Sequence, residues 1–196
     1  MVELQHRTVP TAALAAFVAA TPLATAQDFD SLAFQPVKAA VKADLHQDQG
    51  GLCVYCESLL EADAGQVEHI KPKAGRNAHP HLCFDYSNYA HSCINDKTCG
   101  QRKRDGLLPI EPGPGCNAQW TLSTDGTIEP CTRLTRQQRH LVIQTRDMLG
   151  LNADSGLVDE RRRWLASCIA VLQQTPDDIQ AFLQAAPYRY MLATAL

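Results

Sequence analysis

Two cysteine pairs bracket a Glu-His dipeptide, and that grouping has the residue types of metal chemistry and of hydrolysis. Cys53-Val-Tyr-Cys56 sets two sulfurs on one tight turn, where both can reach one tetrahedral ion at about 2.3 Å each. Cys93 and Cys99 stand about 40 residues downstream and are the best candidates for a second pair. Between the pairs lies Val67-Glu68-His69-Ile70-Lys71-Pro72-Lys73. Imidazole suits the role of general base, because its unperturbed pKa is about 6.5. Carboxylate oxygens suit a hard cation such as Mg²⁺. Adjacent residues of an ideal strand point to opposite sides, so Glu68 and His69 need a strand end or a bend to serve one site.

A C-x-x-C pair also occurs in redox proteins, but no βαβ pattern surrounds this one. The remaining cysteines (Cys83, Cys116, Cys131 and Cys168) read as core residues, with Cys83 and Cys116 as substitutes should Cys93 or Cys99 not be a ligand. His79 and His81, around Pro80, read as loop residues.

The elements that must position these groups follow from the patterning. Val37, Val41 and Leu45 recur every four residues and predict a helix over about 36–48, stopped by Gly50-Gly51. The alanine-rich run 11–20, ended by Pro22, reads as a short buried helix rather than as a secretion signal. Residues 52–104 hold no long periodic stretch and predict a metal-held module of turns, two short strands and a terminal helix. A rigid loop spans 109–118. Asp125-Gly126 lies between strand-like residues of 120–128 and marks a hairpin. Helices follow over about 135–149 and 154–174, and a last one starts at Thr175-Pro176-Asp177-Asp178. The division is 1–49, an N-terminal helical segment; 50–110, the metal-held core; and 111–196, a hairpin and helical region packed on it as one compact unit.

The chain has 196 residues, of which 45% are apolar and 20% charged. That excludes a disordered tail or a fibre, and no segment approaches the roughly 20 apolar residues of a membrane span. The net charge of −3 predicts no global attraction to nucleic acid. The charge is segregated, however: residues 68–104 carry seven Lys/Arg against three Asp/Glu, in an otherwise acidic chain. The expected compartment is the cytoplasm, where clustered cysteines read as metal sites rather than disulfides.

The string Leu52-Cys-Val-Tyr-Cys-Glu57, Glu68-His-Ile-Lys-Pro-Lys73, Phe84-Asp-Tyr-Ser-Asn88, Cys93 and Cys99-Gly-Gln-Arg-Lys103 resembles the HNH (ββα-metal) endonucleases of the Cys-rich, zinc-knuckle type. Beyond that core, Asp125-Gly-Thr-Ile128, Leu149-Gly-Leu-Asn152, Leu157 and Arg161 are similar to the HNH proteins of retrons and to the nuclease subunit (PtuB) of Septu antiphage systems. The resemblance covers about residues 35–165. It implies an α+β fold: a zinc-stapled ββα-metal core flanked by N- and C-terminal helices.

It implies a phosphodiester hydrolase with His69 as general base and Glu68 as ligand of one catalytic Mg²⁺ or Mn²⁺. Asn88 takes the place of the family's middle Asn, orienting His69 or tying the loop. The third position departs from the pattern, because Gly100 and Gln101 stand where Asn or His is usual; Gln101 is the first substitute, then His91, then Asp96. The structural Zn²⁺ ligands are Cys53, Cys56, Cys93 and Cys99. Lys71, Lys73, Arg102, Lys103 and Arg104 are the expected phosphate contacts, while Arg161–Arg163 reads as a solvated face.

The implied partners are nucleic acid (DNA, or RNA such as tRNA), an ABC/SMC-type ATPase (PtuA-like) docked on the C-terminal helices, and a retron reverse transcriptase with its msDNA. The competing readings are a zinc-ribbon-like nucleic-acid-binding module without catalysis and a secreted disulfide protein.

Overall fold

Val37, Val41 and Leu45 lie buried along one face of helix α2 (Gln35–Asp48), as their spacing predicts. The computed structural model describes all 196 residues. Helix α1 (Ala12–Ala20) packs on α2, but only Leu14 is buried, so it is not the buried helix its alanines suggest. Alanine side chains are too small to drive either face inward. The two helices, with Phe29, Phe34 and Tyr89, form one of two apolar cores.

Strands β1 (Gln66–His69) and β2 (Tyr89–Ser92) pair antiparallel, with Val67 opposite His91 and His69 opposite Tyr89. One face of this ribbon meets α2 and the smaller core. The other meets helix α3 (Cys99–Lys103). The larger core joins the cysteine turns to a second hairpin, β3 (Trp120–Leu122) and β4 (Ile128–Pro130), and to the C-terminal helices. Both cores draw on distant parts of the chain, and Met1, Val2 and Leu4 belong to the larger one.

Helices α4 (Arg136–Met148) and α5 (Ser155–Gln174) begin where capping residues allow. Thr135 and Gln138 form a reciprocal capping box on α4, and Asp154 accepts from the Gly156 amide. The expected last helix is broken in two, α6 (Ile179–Ala185) and α7 (Arg189–Ala193). Pro187 forces Ala186 into extended backbone and ends α6. No helix is long and apolar enough to cross a membrane.

The outlying motif residues meet in a single polar knot. Arg161 donates from Nε to the Gly126 carbonyl (2.9 Å) and from a terminal nitrogen to the Leu151 carbonyl (2.7 Å). Asn152 accepts from the Ile128 amide (2.9 Å) and donates back to its carbonyl (3.0 Å). Arg161 is therefore fully buried, not part of a solvated face, and burial lowers its pKa to about 10. Gly126 has φ +89°, and a β-carbon there would strike the Val158 carbonyl. The hairpin therefore rests directly on α5.

An ionic latch ties the chain's start to α2. Asp48 accepts from the Arg7 amide and Nε and from the Tyr86 hydroxyl (2.8 Å). Burial opposes ionisation, but these donors outweigh it and hold the Asp48 carboxyl below its ordinary value. A depressed folded-state pKa adds stability above the ordinary value of about 4, and that stability is lost as pH falls through the folded value. Asp48→Asn is expected to cost about 2 kcal/mol at neutral pH. Denaturant titrations should find the gap between variant and parent closing under acid.

Candidate metal centre and catalytic cleft

Four sulfurs converge where the Cys53–Cys56 turn meets the end of β2 and the start of α3. Cys53 and Cys99 Sγ are 3.7 Å apart and Cys56 and Cys93 Sγ 3.9 Å, and all four lie within 4.8 Å of one another. A tetrahedron of metal–sulfur bonds of about 2.3 Å has edges of about 3.8 Å, so the set fits one tetrahedral ion. Burial opposes ionisation at Cys53, but the three neighbouring thiols and the Cys93 amide pull it below the ordinary thiol value. Cys99 has φ +59° and Glu57 has φ +63°, the reversals that turn each sulfur inward. The Cys99 amide is also anchored, donating to the Leu149 carbonyl (2.8 Å). Cys83 and Cys116 stand outside the cluster.

This clasp fixes α3 against β1. Glu68 faces α3, where its Oε1 accepts from Lys103 Nζ (2.8 Å). Its Oε2 receives only a 3.3 Å contact from Gln66 Nε2, so it keeps a lone pair for a hard cation. Burial raises the Glu68 carboxyl against the lowering pull of Lys103.

His69, the last residue of β1, turns to the opposite face, against Phe29 (ring centroids 4.5 Å) and Tyr89 (5.1 Å). Its Nε2 lies 3.0 Å from the Cys83 carbonyl. A carbonyl accepts only, so Nε2 carries the proton and Nδ1 is left as a free acceptor. Nδ1 is not among the sealed polar atoms lacking a partner, and the residue lines an open cleft. Burial lowers the ring's pKa to about 4, which keeps it neutral at physiological pH. Asn88 ties the neighbouring loops: its Oδ1 accepts from the Lys71 amide (2.8 Å), and its Nδ2 donates to the Lys71 and Leu82 carbonyls (2.9 and 3.3 Å). It touches no cleft atom, so its part is positional.

The cleft has a volume of about 620 Å³. Glu68 and His69 share its wall although they point to opposite faces, because the strand ends at its rim. Lys73 and Arg104 line it as expected. Lys71, near Glu111, and Arg102, donating to the Asp147 carbonyl, do not.

Three expectations are corrected. Lys103 is no phosphate contact: it is buried, and its ammonium is spent on Glu68 and the His69 carbonyl (3.0 Å). His91 is cross-strand from Val67, on the face away from Glu68, with its Nε2 on the Ala64 carbonyl, so the two cannot share an ion. Gln101 is exposed outside the cleft and donates to Gln66 (2.8 Å). The departure at position 100 has a spatial cause, since a β-carbon on Gly100 would come within 2.5 Å of Glu68 Oε2. Gly100→Ala should push that carboxylate aside, with a cleavage assay recording a loss of about tenfold or more and melting recording an intact fold.

Sequence reasoning missed Phe29, Asp30, Lys38 and Lys42, which form the opposite wall. A signal existed: Lys38 and Lys42 are two of only three Lys/Arg residues before position 68, and they stand four apart on α2, flanking its buried stripe.

A short two-stranded ribbon, a loop tied by Asn, a thiol-anchored helix and a Glu-His pair at one cleft define an α+β fold of the HNH type. No family model matches the chain. Over 201 aligned residues, 98% of each protein, it is 43% identical to "Retron Vc95 putative HNH endonuclease" from Vibrio cholerae serotype O1 biovar El Tor. The chain belongs to the HNH endonuclease family.

Proposed function

We propose that the cleft hydrolyses nucleic-acid phosphodiester bonds, with His69 Nδ1 taking the proton of the attacking water. The observation that carries this is the fixed, neutral imidazole beside Glu68 in a cleft rimmed by cations. The Cys83 carbonyl sets tautomer and ring direction, Asn88 holds the loops, and Phe29 and Tyr89 exclude water from the ring's faces. Lys73, Lys42 and Arg104 draw in the polyanionic backbone. Glu68 Oε2 would hold one Mg²⁺ or Mn²⁺. Such an ion supplies Lewis-acid polarisation of the phosphoryl oxygen and steadies the leaving oxygen. Lys103 fixes the Glu68 carboxylate and offsets its charge. Zn²⁺ is assigned to the four thiolates.

The relative's name supports a place in a retron, and the wider resemblance supports a reverse transcriptase and its DNA product as partners. The wider resemblance supports an ABC/SMC-type ATPase docking on α4 and α5, where Ile143, Ile169 and Leu172 are exposed. The assigned compartment is the cytoplasm, which keeps the thiols reduced.

The test is cleavage of plasmid DNA and of tRNA by the chain, alone and co-purified with its partners, with and without added Mg²⁺ or Mn²⁺. Cleavage that starts with the ion and is lost in Glu68→Ala is expected. Ion-independent cleavage that survives this substitution overturns the reading, as does no cleavage of either substrate under any partner condition.

A further inference from the structure

On the wall facing His69, Lys73 belongs to a cluster whose other members, Asp30 and Lys38, the proposed hydrolysis does not use. Asp30 ends the short 3-10 turn Asp28–Asp30. Its two carboxylate oxygens accept from different lysines: Oδ1 from Lys38 Nζ (3.0 Å) and Oδ2 from Lys73 Nζ (2.5 Å). Both ammonium groups lie over the Phe29 ring, 4.1 and 4.3 Å from its centroid. That ring is the one in edge contact with His69. The lysine side chains are 21% exposed and the carboxylate 67%, so the cations are built in and the acid is the loosest member.

We propose that Lys38 and Lys73 form a phosphodiester subsite beside His69, which the Asp30 carboxylate fills until a backbone phosphate displaces it. A carboxylate and a phosphodiester each carry one negative charge on two acceptor oxygens, so the exchange leaves the cluster's net charge unchanged. The Phe29 face keeps the ammonium groups together while it happens, since a cation over an aromatic ring is held in place. The Asp30 side chain is mostly exposed, so the carboxylate can turn to solvent by side-chain rotation while Phe29 stays in the core. The subsite lies one ring's width from the proposed base, where it would hold the phosphate next to the one attacked.

This inference rests on the nuclease reading for its ligand, but its test is independent of cleavage. Binding of a short fluorescent oligonucleotide, as duplex DNA, single-stranded DNA and RNA, is followed by anisotropy across a salt series without added divalent ion. Lys38→Gln and Lys73→Gln should each weaken binding several-fold and flatten the log–log salt dependence by about one unit of slope. Asp30→Asn should tighten binding several-fold at low salt. A gain on all three probes assigns the subsite to the shared backbone, and a gain on one identifies the substrate. Unchanged slopes in the lysine variants overturn the proposal. So does an Asp30→Asn variant that loses thermal stability without gaining affinity, because the ion pairs are then only structural. His69-dependent cleavage with unchanged slopes removes the subsite alone; altered slopes without any cleavage remove the hydrolytic reading alone.

Discussion

Replacing His69 by alanine is expected to lower the cleavage rate by about 10²- to 10⁴-fold while nucleic-acid affinity stays near that of the parent. The size follows from what the ring does. Its Nε2 proton is fixed on the Cys83 carbonyl, so in the proposed reaction Nδ1 takes the proton, and no second imidazole lines the cleft to replace it. His69→Gln separates chemistry from packing, since its amide Nε2 takes the place of the ring Nε2 that donates to the Cys83 carbonyl but is not basic. It should be as inactive as the alanine variant and melt closer to the parent. Initial rates and anisotropy on the same preparations check this, and cleavage within about threefold of the parent would remove His69 from the chemistry.

Loss of the thiolate centre is expected to have the largest effect on stability. Structural zinc binds with about 10–16 kcal/mol, comparable to the whole stability of a typical domain. Here the centre links the Cys53–Cys56 turn, the end of β2 and the start of α3, all of which position Glu68. Cys53→Ser or Cys99→Ser should unfold the region from 52 to 104, while Cys131→Ser, outside the cluster, should melt like the parent. Metal analysis and circular dichroism check this, with one zinc per chain in the parent. A fully folded, metal-free chain would contradict it.

The patterned elements could be read in the sequence because local rules dictate them. The four-residue spacing of Val37, Val41 and Leu45, the caps at Thr135 and Asp154, and the Asp125-Gly126 turn each specify their element without help from the rest of the chain. The convergence of the cysteines was legible from spacing as well. What was hidden depends on contacts between distant segments. Lys103 looks like any basic helix residue until α3 is laid against β1, where its ammonium finds Glu68. His91 looks like a ligand until the strand register turns it away. Phe29 and Asp30 carry no motif and reach the site only because α2 packs on the ribbon. The break at Pro187 is local, because the residue before a proline is pushed out of the helical region.

The most direct test of the site is rescue of His69→Ala by added imidazole. Removing the ring leaves a slot between Phe29 and Tyr89 beside the cleft. Free imidazole should restore cleavage in proportion to its neutral form, with a pH profile following the added base. Cleavage that imidazole leaves unchanged, in a variant shown to be folded and to bind nucleic acid, would contradict proton transfer at position 69.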